Sequence, residues 1–316
     1  MVGFYRKGFA RMIGKGLKLA LGLLALGAAQ PVLAWGSLGH TTIANIAQAN
    51  VSPKVKAQIL ALLKAQKGLG TKACPVKSLS AAANWPDCLR SESWRWGYTF
   101  PWHYHDGDIT AAAFDMKANC SGGQCATAQI PRFKRILADK SLPAAQRLEA
   151  LAFLSHVLGD MHQPLHAAEH DHDAGGNGVI VTNLPGEPYV INTTPPTVVN
   201  PKPGTLNLHW MWDNFLVIRT DKAGQLPAVR RYSAEEKAAI ATGDVADWAQ
   251  ESWLIAHDTV YPQVFGKVVS ASDKTEKNVI VSDGAIAADI PIVRQRLLQA
   301  GLRLARVLDE ALGDRP

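Results

Sequence analysis

The residues from Phe153 to His166, FLSHVLGDMHQPLH, carry three imidazoles and a carboxylate through an otherwise apolar run. His156 and Asp160 stand four residues apart, so on a helix they leave one face about 6 Å from each other. Two groups so placed can converge on one Zn²⁺, whose nitrogen and oxygen ligands sit at about 2.0–2.2 Å. Gly159 leaves the backbone beside them uncrowded. Pro164 ends the helix and lets His166 turn back toward the same region. A buried carboxylate is costly unless positive charge compensates it, and a metal does so directly. The pattern recurs in NLHWMWD, where His209 and Asp213 repeat the spacing. One such pair equally describes an ion pair; two of them, with His166, favour a metal.

Further donors lie upstream. NWPD supplies Asp87 and WHYHD supplies His103, both in tryptophan-rich surroundings. Nitrogen and oxygen donors without thiolate suit hydrolytic zinc better than a structural site. WGSLGH at 35–40 adds His40. If Trp35 becomes the first residue, its α-amine, with a pKa near 7.7–8.0, can lose its proton and bind zinc near neutral pH. Its carbonyl can complete the chelate.

Residues 1–34 read as a secretory signal. Arg6, Lys7, Arg11, Lys15 and Lys18 precede the apolar stretch LALGLLALGAA, which is too short for an ordinary membrane span. Val32 and Ala34 place small residues before Trp35. Cleavage there leads to a secreted or periplasmic protein with no stable membrane insertion. The chain is formally +6, and those five basic residues account for all but about one of the charges. The mature protein therefore carries no basic excess that would argue for a polyanion partner.

Residues 35–316 are expected to form a single, mostly α-helical domain. Cys74, Cys88, Cys120 and Cys125 form an even set in an exported chain, which favours two disulfides. Three pairings are open; Cys74–Cys88 and Cys120–Cys125 are preferred because each closes a short loop. Helical periodicity covers 40–49, a segment opened by Ser52-Pro53 and running to about 66, then 81–90, 126–139, 143–162, 207–220, 233–258 and 284–312. Residues 91–110 read as aromatic-rich and irregular. The stretch at about 176–206, with GVIVTNL, reads as a short β-like excursion. Asn192-Thr193-Thr194 is a glycosylation sequon. His162 is expected to face away from Asp160, His170 and His172 to be solvated, and Trp85, Trp94, Trp96, Trp102, Trp210 and Trp212 to pack internally.

In WGSLGH, NWPD, WHYHD, FLSHVLGDMHQPLH, DAGGN and NLHWMWD, taken in order, the chain resembles the secreted three-zinc, single-strand-specific nucleases and 3′-nucleotidases, of the zinc-dependent phospholipase C fold superfamily. The resemblance implies three Zn²⁺ ions. One takes Asp87, His103, His156 and Asp160. A second takes the amine and carbonyl of Trp35, His40 and a bridging Asp160. A third takes His166, His209 and Asp213. It further implies catalytic roles for Asp87 and Arg90, base contacts from Tyr104 and Asp106, and a phosphate-side Asn177. The partners would be single-stranded RNA and DNA and 3′-nucleotides, met by a monomer. A zinc-dependent phospholipase C and a non-catalytic exported zinc-binding protein are the alternative readings.

Overall fold

A computed structural model describes residues 35–186, 188–191 and 197–313. The leader at 1–34 and the sequon at 192–194 lie outside the described residues. No helix among those described is long and apolar enough to cross a membrane.

Helices dominate, as the periodicity implies. Helix α1 spans Ser37–Asn50 and α2 spans Pro53–Leu63, the latter capped by Ser52, whose side chain accepts from Val55 N, and continued by a 3₁₀ turn to Leu69. Helix α3 is Leu79–Cys88. The aromatic stretch expected to be irregular folds into α4, Ser93–Trp96, and a 3₁₀ segment Gly97–His103. Helices α5, Ala126–Ala138, and α6, Ala144–Asp160, follow. Helix α7, Leu208–Trp210, passes through a π turn at Met211–Phe215 into α8, Leu216–Lys222.

The helix expected at 233–258 is divided. Helix α9, Ala234–Ile240, and α10, Val245–Ile255, each begin with their own capping box, on Ser233 and Asp244. Gly243, at φ +78°, turns the chain between them. A second π turn, Ala256–Val260, leads into α11, Tyr261–Phe265, and α12, Asp283–Leu312, closes the chain.

Helix α6 is the centre of the packing. Leu148 and every residue from Ala150 to Asp160 are buried, so the helix from Ala150 onward is enclosed on all sides rather than amphipathic. It packs against α3 and α5, while α1 lies between α3 and α12. Burying each large aliphatic side chain there contributes about 1.5–3 kcal/mol, which holds the polar groups on the same helix in place.

The β-like excursion is short strands. β1, Ile180–Val181, pairs antiparallel with β4, Leu206–Asn207, and parallel with β5, Asn278–Val279; β2, Tyr189–Ile191, and β3, Thr197–Val199, form a hairpin. β4 runs straight into α7, so the β1–β4 register fixes where the second helical pair begins. Asn207 caps that start, its side chain accepting from Trp210 N at 2.7 Å. Cys74–Cys88 and Cys120–Cys125 are the two disulfides, and no described cysteine is free.

Candidate active site

The one-face spacing of His156 and Asp160 brings them together as expected. His156 Nε2 lies 3.2 Å from Asp160 Oδ2, as does His103 Nδ1; His40 Nε2 lies 3.2 Å from Asp160 Oδ1. Asp87 Oδ1 is 3.7 Å from His156 Nε2 and 3.9 Å from His103 Nδ1. Five side chains from α1, α3, α6 and the 97–103 segment therefore share one buried centre. Gly159 makes room there, since a Cβ would stand 3.1 Å from His40 Nδ1, a tight contact.

Few of these groups satisfy one another, although His156 Nε2 and His103 Nδ1 lie 2.9 Å apart. Both Asp160 oxygens, both His40 nitrogens and His103 Nε2 are buried without a hydrogen-bond partner, despite the short approaches. Orphaned buried groups of this kind cost about 1–3 kcal/mol each, more when charged. His156 Nδ1 donates to Ala83 O at 2.7 Å, which turns its Nε2 inward. Burial opposes ionisation of Asp160, yet the charge on His156 and the donors of His103, His156 and His40 outweigh it and hold the carboxyl well below its usual range. Burial pulls His103 down to about 4, leaving it neutral. An anionic carboxylate ringed by inward-facing nitrogens fits a cation.

The second pair forms a separate cluster. His209 Nε2 is 3.3 Å from Asp213 Oδ2, His166 Nε2 is 3.7 Å from Asp213 Oδ1, and the two Nε2 atoms are 3.0 Å apart. Their outer nitrogens are tied off: His166 Nδ1 donates to His103 O and His209 Nδ1 to Gly175 O, both at 2.7 Å. Burial lowers His209 to about 4. Burial works against a charge on His166 too, but Asp213 and Asp160 raise it to about 9, so this pair already attracts one positive charge. Groups able to hold a metal therefore occur at His40/Asp87/His156, His103/His156/Asp160 and His166/His209/Asp213. A fourth grouping, His105 with Cys120 and Cys125, has its sulfurs committed to a disulfide. All available donors are thus nitrogen and oxygen.

Trp35 is buried, its carbonyl accepts from His40 N at 3.4 Å, and the next amide, Gly36 N, donates to Asp213 O at 2.7 Å. The Trp35 backbone thus runs between the two clusters.

A strap from His103 to Ile109 borders both. It runs as a parallel ladder along 166–169: His105 N donates to His166 O, Gly107 N to Ala167 O and Ile109 N to Glu169 O. Tyr104 on this strap is 38% exposed. Burial, then the neighbouring Glu169, raises Asp106 to about 7. Arg90 Nε approaches Asp87 Oδ1 at 3.4 Å, and its guanidinium lies 5.2 Å from the Phe100 ring centre. Asn177 is partly buried, with its amide donating to Ala174 O and accepting from Asn207.

Two expectations fail. His170 is 2% exposed, its ring edge-on to Tyr261 and Phe265, and is not solvated. Trp94 is 84% exposed and not internal, because the four-residue α4 turns it outward. His162 does face away, its Nδ1 donating to Leu158 O and its Nε2 3.1 Å from Arg303. One residue was missed. Gln163, fully buried, donates to Asp213 Oδ1 at 2.7 Å and accepts from Leu165 N. An amide inside a buried apolar run just before Pro164 was the available signal.

Comparison with known proteins matches these features to a group. A family model described as S1/P1 Nuclease matches residues 35–313. The chain is similar to Nuclease S1 of Aspergillus oryzae, 27% identical over 92% of this chain and 96% of the relative. It is 28% identical to Endonuclease 4 of Arabidopsis thaliana, over 90% and 91%. It is 33% identical to Nuclease P1 of Penicillium citrinum, over 47% and 52%. Among solved structures it is similar to the alpha-toxin of Clostridium perfringens, with a TM-score of 0.47 and 15% identity, over 90% of this chain and 65% of the toxin chain.

Proposed function

The chain belongs to the S1/P1 nuclease family, and from that premise we propose that it is a zinc-dependent phosphodiesterase that cleaves single-stranded RNA and DNA at the P–O3′ bond. The products would carry 5′-phosphates, and 3′-nucleotides would lose their phosphate in the same site. The observation that carries this reading is Asp160: a fully buried carboxylate with two orphaned oxygens, approached by three imidazoles.

Three Zn²⁺ ions would be held, one by Asp87, His103, His156 and Asp160, one by Trp35, His40 and Asp160, and one by His166, His209 and Asp213. When bound, such ions neutralise phosphodiester charge, acidify water and stabilise the leaving oxygen. The Trp35 share requires export and cleavage before that residue. The chain's own groups do the rest. Asp87, at the rim with 8% exposure, accepts a proton from the attacking water. Arg90 holds that carboxylate and offers its remaining donors to the phosphate. Tyr104 stacks a base, for a gain of about 1–3 kcal/mol, and Asp106 accepts from the base edge. Only an unstacked base reaches this ring, so single strands are selected without a basic groove. Asn177 faces the phosphate side from the 173–177 loop.

The test compares a single-stranded oligonucleotide, its duplex and a choline phospholipid, with chelator and then added Zn²⁺. Cleavage of the single strand to 5′-phosphate ends, lost on chelation and regained with zinc, is expected. Lipid turnover with inert oligonucleotide would overturn the reading in favour of a phospholipase, and no turnover of either would leave a zinc-binding protein.

A further inference from the structure

His105, between Tyr104 and Asp106, belongs to none of the metal groupings that are free to bind, yet it is fully buried with both ring nitrogens engaged. Its Nδ1 lies 2.8 Å from Thr127 Oγ1, and its Nε2 is bonded to Ala118 O. The residues on either side are held by the same stretch. Ala126 N donates to Tyr104 O at 2.9 Å, and Asn119 Nδ2 donates to Asp106 O at 2.6 Å. Three consecutive strap residues are thus gripped from the outside by 118–127, opposite the ladder to 166–169 on the inside.

That outer grip has two halves of unequal strength. Ala126 and Thr127 are buried in the first turn of α5 and stay wherever α5 stays. Ala118 and Asn119 sit in an exposed run, with Asn119 itself at φ +52° and Gly122 and Gly123 at φ +61° and +75°. This run has little apolar contact to order it. The Cys120–Cys125 disulfide ties it to the buried N-terminal end of α5.

We propose that the disulfide-closed loop 118–127 is the positioning element of the base-binding strap, with His105 as its key, so that base recognition depends on the Cys120–Cys125 bond while phosphoester chemistry does not. Loss of the bond frees Ala118 and Asn119, hence His105 Nε2 and the Asp106 carbonyl, and leaves His105 Nδ1 on Thr127 and the Tyr104 carbonyl on Ala126. The Asp106 side of the strap loosens first. The inference rests on the reading of Tyr104 and Asp106 as base contacts.

The experiment uses the processed protein and two oligonucleotides, one fully based and one with an abasic residue at the scissile position. With the intact loop, the based substrate is expected to have the lower KM. In Cys120→Ser/Cys125→Ser, KM for the based substrate should rise about tenfold, the scale of one stacked base. Its kcat, the abasic substrate and bound metal should change by less than about twofold. Asn119→Gly keeps both disulfides, accepts the φ of +52° and removes the bond to Asp106; about a threefold rise in the same KM is expected. A based-substrate KM unchanged in Asn119→Gly overturns the proposal even if the double variant does not fold. Equal losses on both substrates, or lost metal, overturn it as well. A wild-type enzyme indifferent to the base overturns the Tyr104–Asp106 reading and the proposal with it. A wild-type preference retained in full by the double variant overturns the proposal alone.

Discussion

The two clusters of donors differ in what holds them. Around Asp160 the donors come from long helices and the 97–103 segment; apart from the 2.9 Å contact of His156 Nε2 with His103 Nδ1, both Asp160 oxygens and both His40 nitrogens are left without a hydrogen-bond partner. Around Asp213 the donors come from a three-residue helix, a π turn and a 3₁₀ turn, and the surroundings already satisfy most of them. Gln163 takes one Asp213 oxygen, Gly175 O and His103 O take the outer imidazole nitrogens, and only Asp213 Oδ2 is orphaned among those carboxylate atoms. The first cluster is placed by the core, and on the proposed function ions would complete it. The second is already placed by hydrogen bonds, and an ion there would add less to its order. Rigid helices can hold unsatisfied groups together because burial of their apolar faces offsets the cost. Short turns cannot, so their ligands need outer partners.

The largest effect that would break this contrast comes from Asp160→Asn against Asp213→Asn. Asp160→Asn should lose two ions and lower kcat/KM by about a hundredfold or more, since several kcal/mol of charge stabilisation disappears. Asp213→Asn should lose one ion. Chelator should still lower the melting temperature of Asp213→Asn strongly and that of Asp160→Asn little. Metal analysis and thermal unfolding read both; equal losses would abolish the distinction.

Next in size is Gln163→Ala. It removes the donor to Asp213 Oδ1 without touching the Asp160 group, and should weaken zinc at the Asp213 cluster alone by about 10–100-fold. Competition with a graded chelator measures it. Gly175→Ala follows. Gly175 stands at φ +62°, and a Cβ there would lie 2.3 Å from Leu165 O. A cost of about 1–3 kcal/mol in stability is expected, with displacement of the carbonyl that orients His209. An unchanged denaturation midpoint would contradict it.

The smallest effect sharpens the comparison by supplying a carboxylate with no imidazoles around it. Asp289 is buried, accepts from Gln263 at 3.0 Å and has its other oxygen orphaned. Burial raises it to about 7. The folded state therefore binds more protons than the unfolded state between about pH 4 and 7, and stability falls as pH rises through that window. Asp289→Asn should flatten that slope and stabilise the fold above pH 7 by about 1 kcal/mol, with no change in metal content. A steeper slope or lost zinc would refute this.

The clustering of these histidines and aspartates was legible because its signals are local: a four-residue spacing, a helix-ending Pro164, a paired carboxylate. The helices were legible for the same reason, through caps such as Ser52-Pro53 and through long apolar repeats. What escaped depends on distant backbone. Nothing in WHYHD says that its chain will lie along 166–169, or that His105 will reach Thr127 and Ala118. The break before Asp244 was readable from Thr242-Gly243-Asp244, but apolar periodicity on both sides masked it. His170 looked solvated because its neighbours Asp171 and His172 are exposed; its burial is decided by Tyr261 and Phe265, about ninety residues away.

The most direct test is zinc-edge anomalous diffraction, with metal counting, on protein whose first residue is Trp35. Three ions per chain are expected, two of them flanking the Asp160 carboxylate and one between His166, His209 and Asp213. A chain that binds a single ion, or none beside Asp160, would contradict the account.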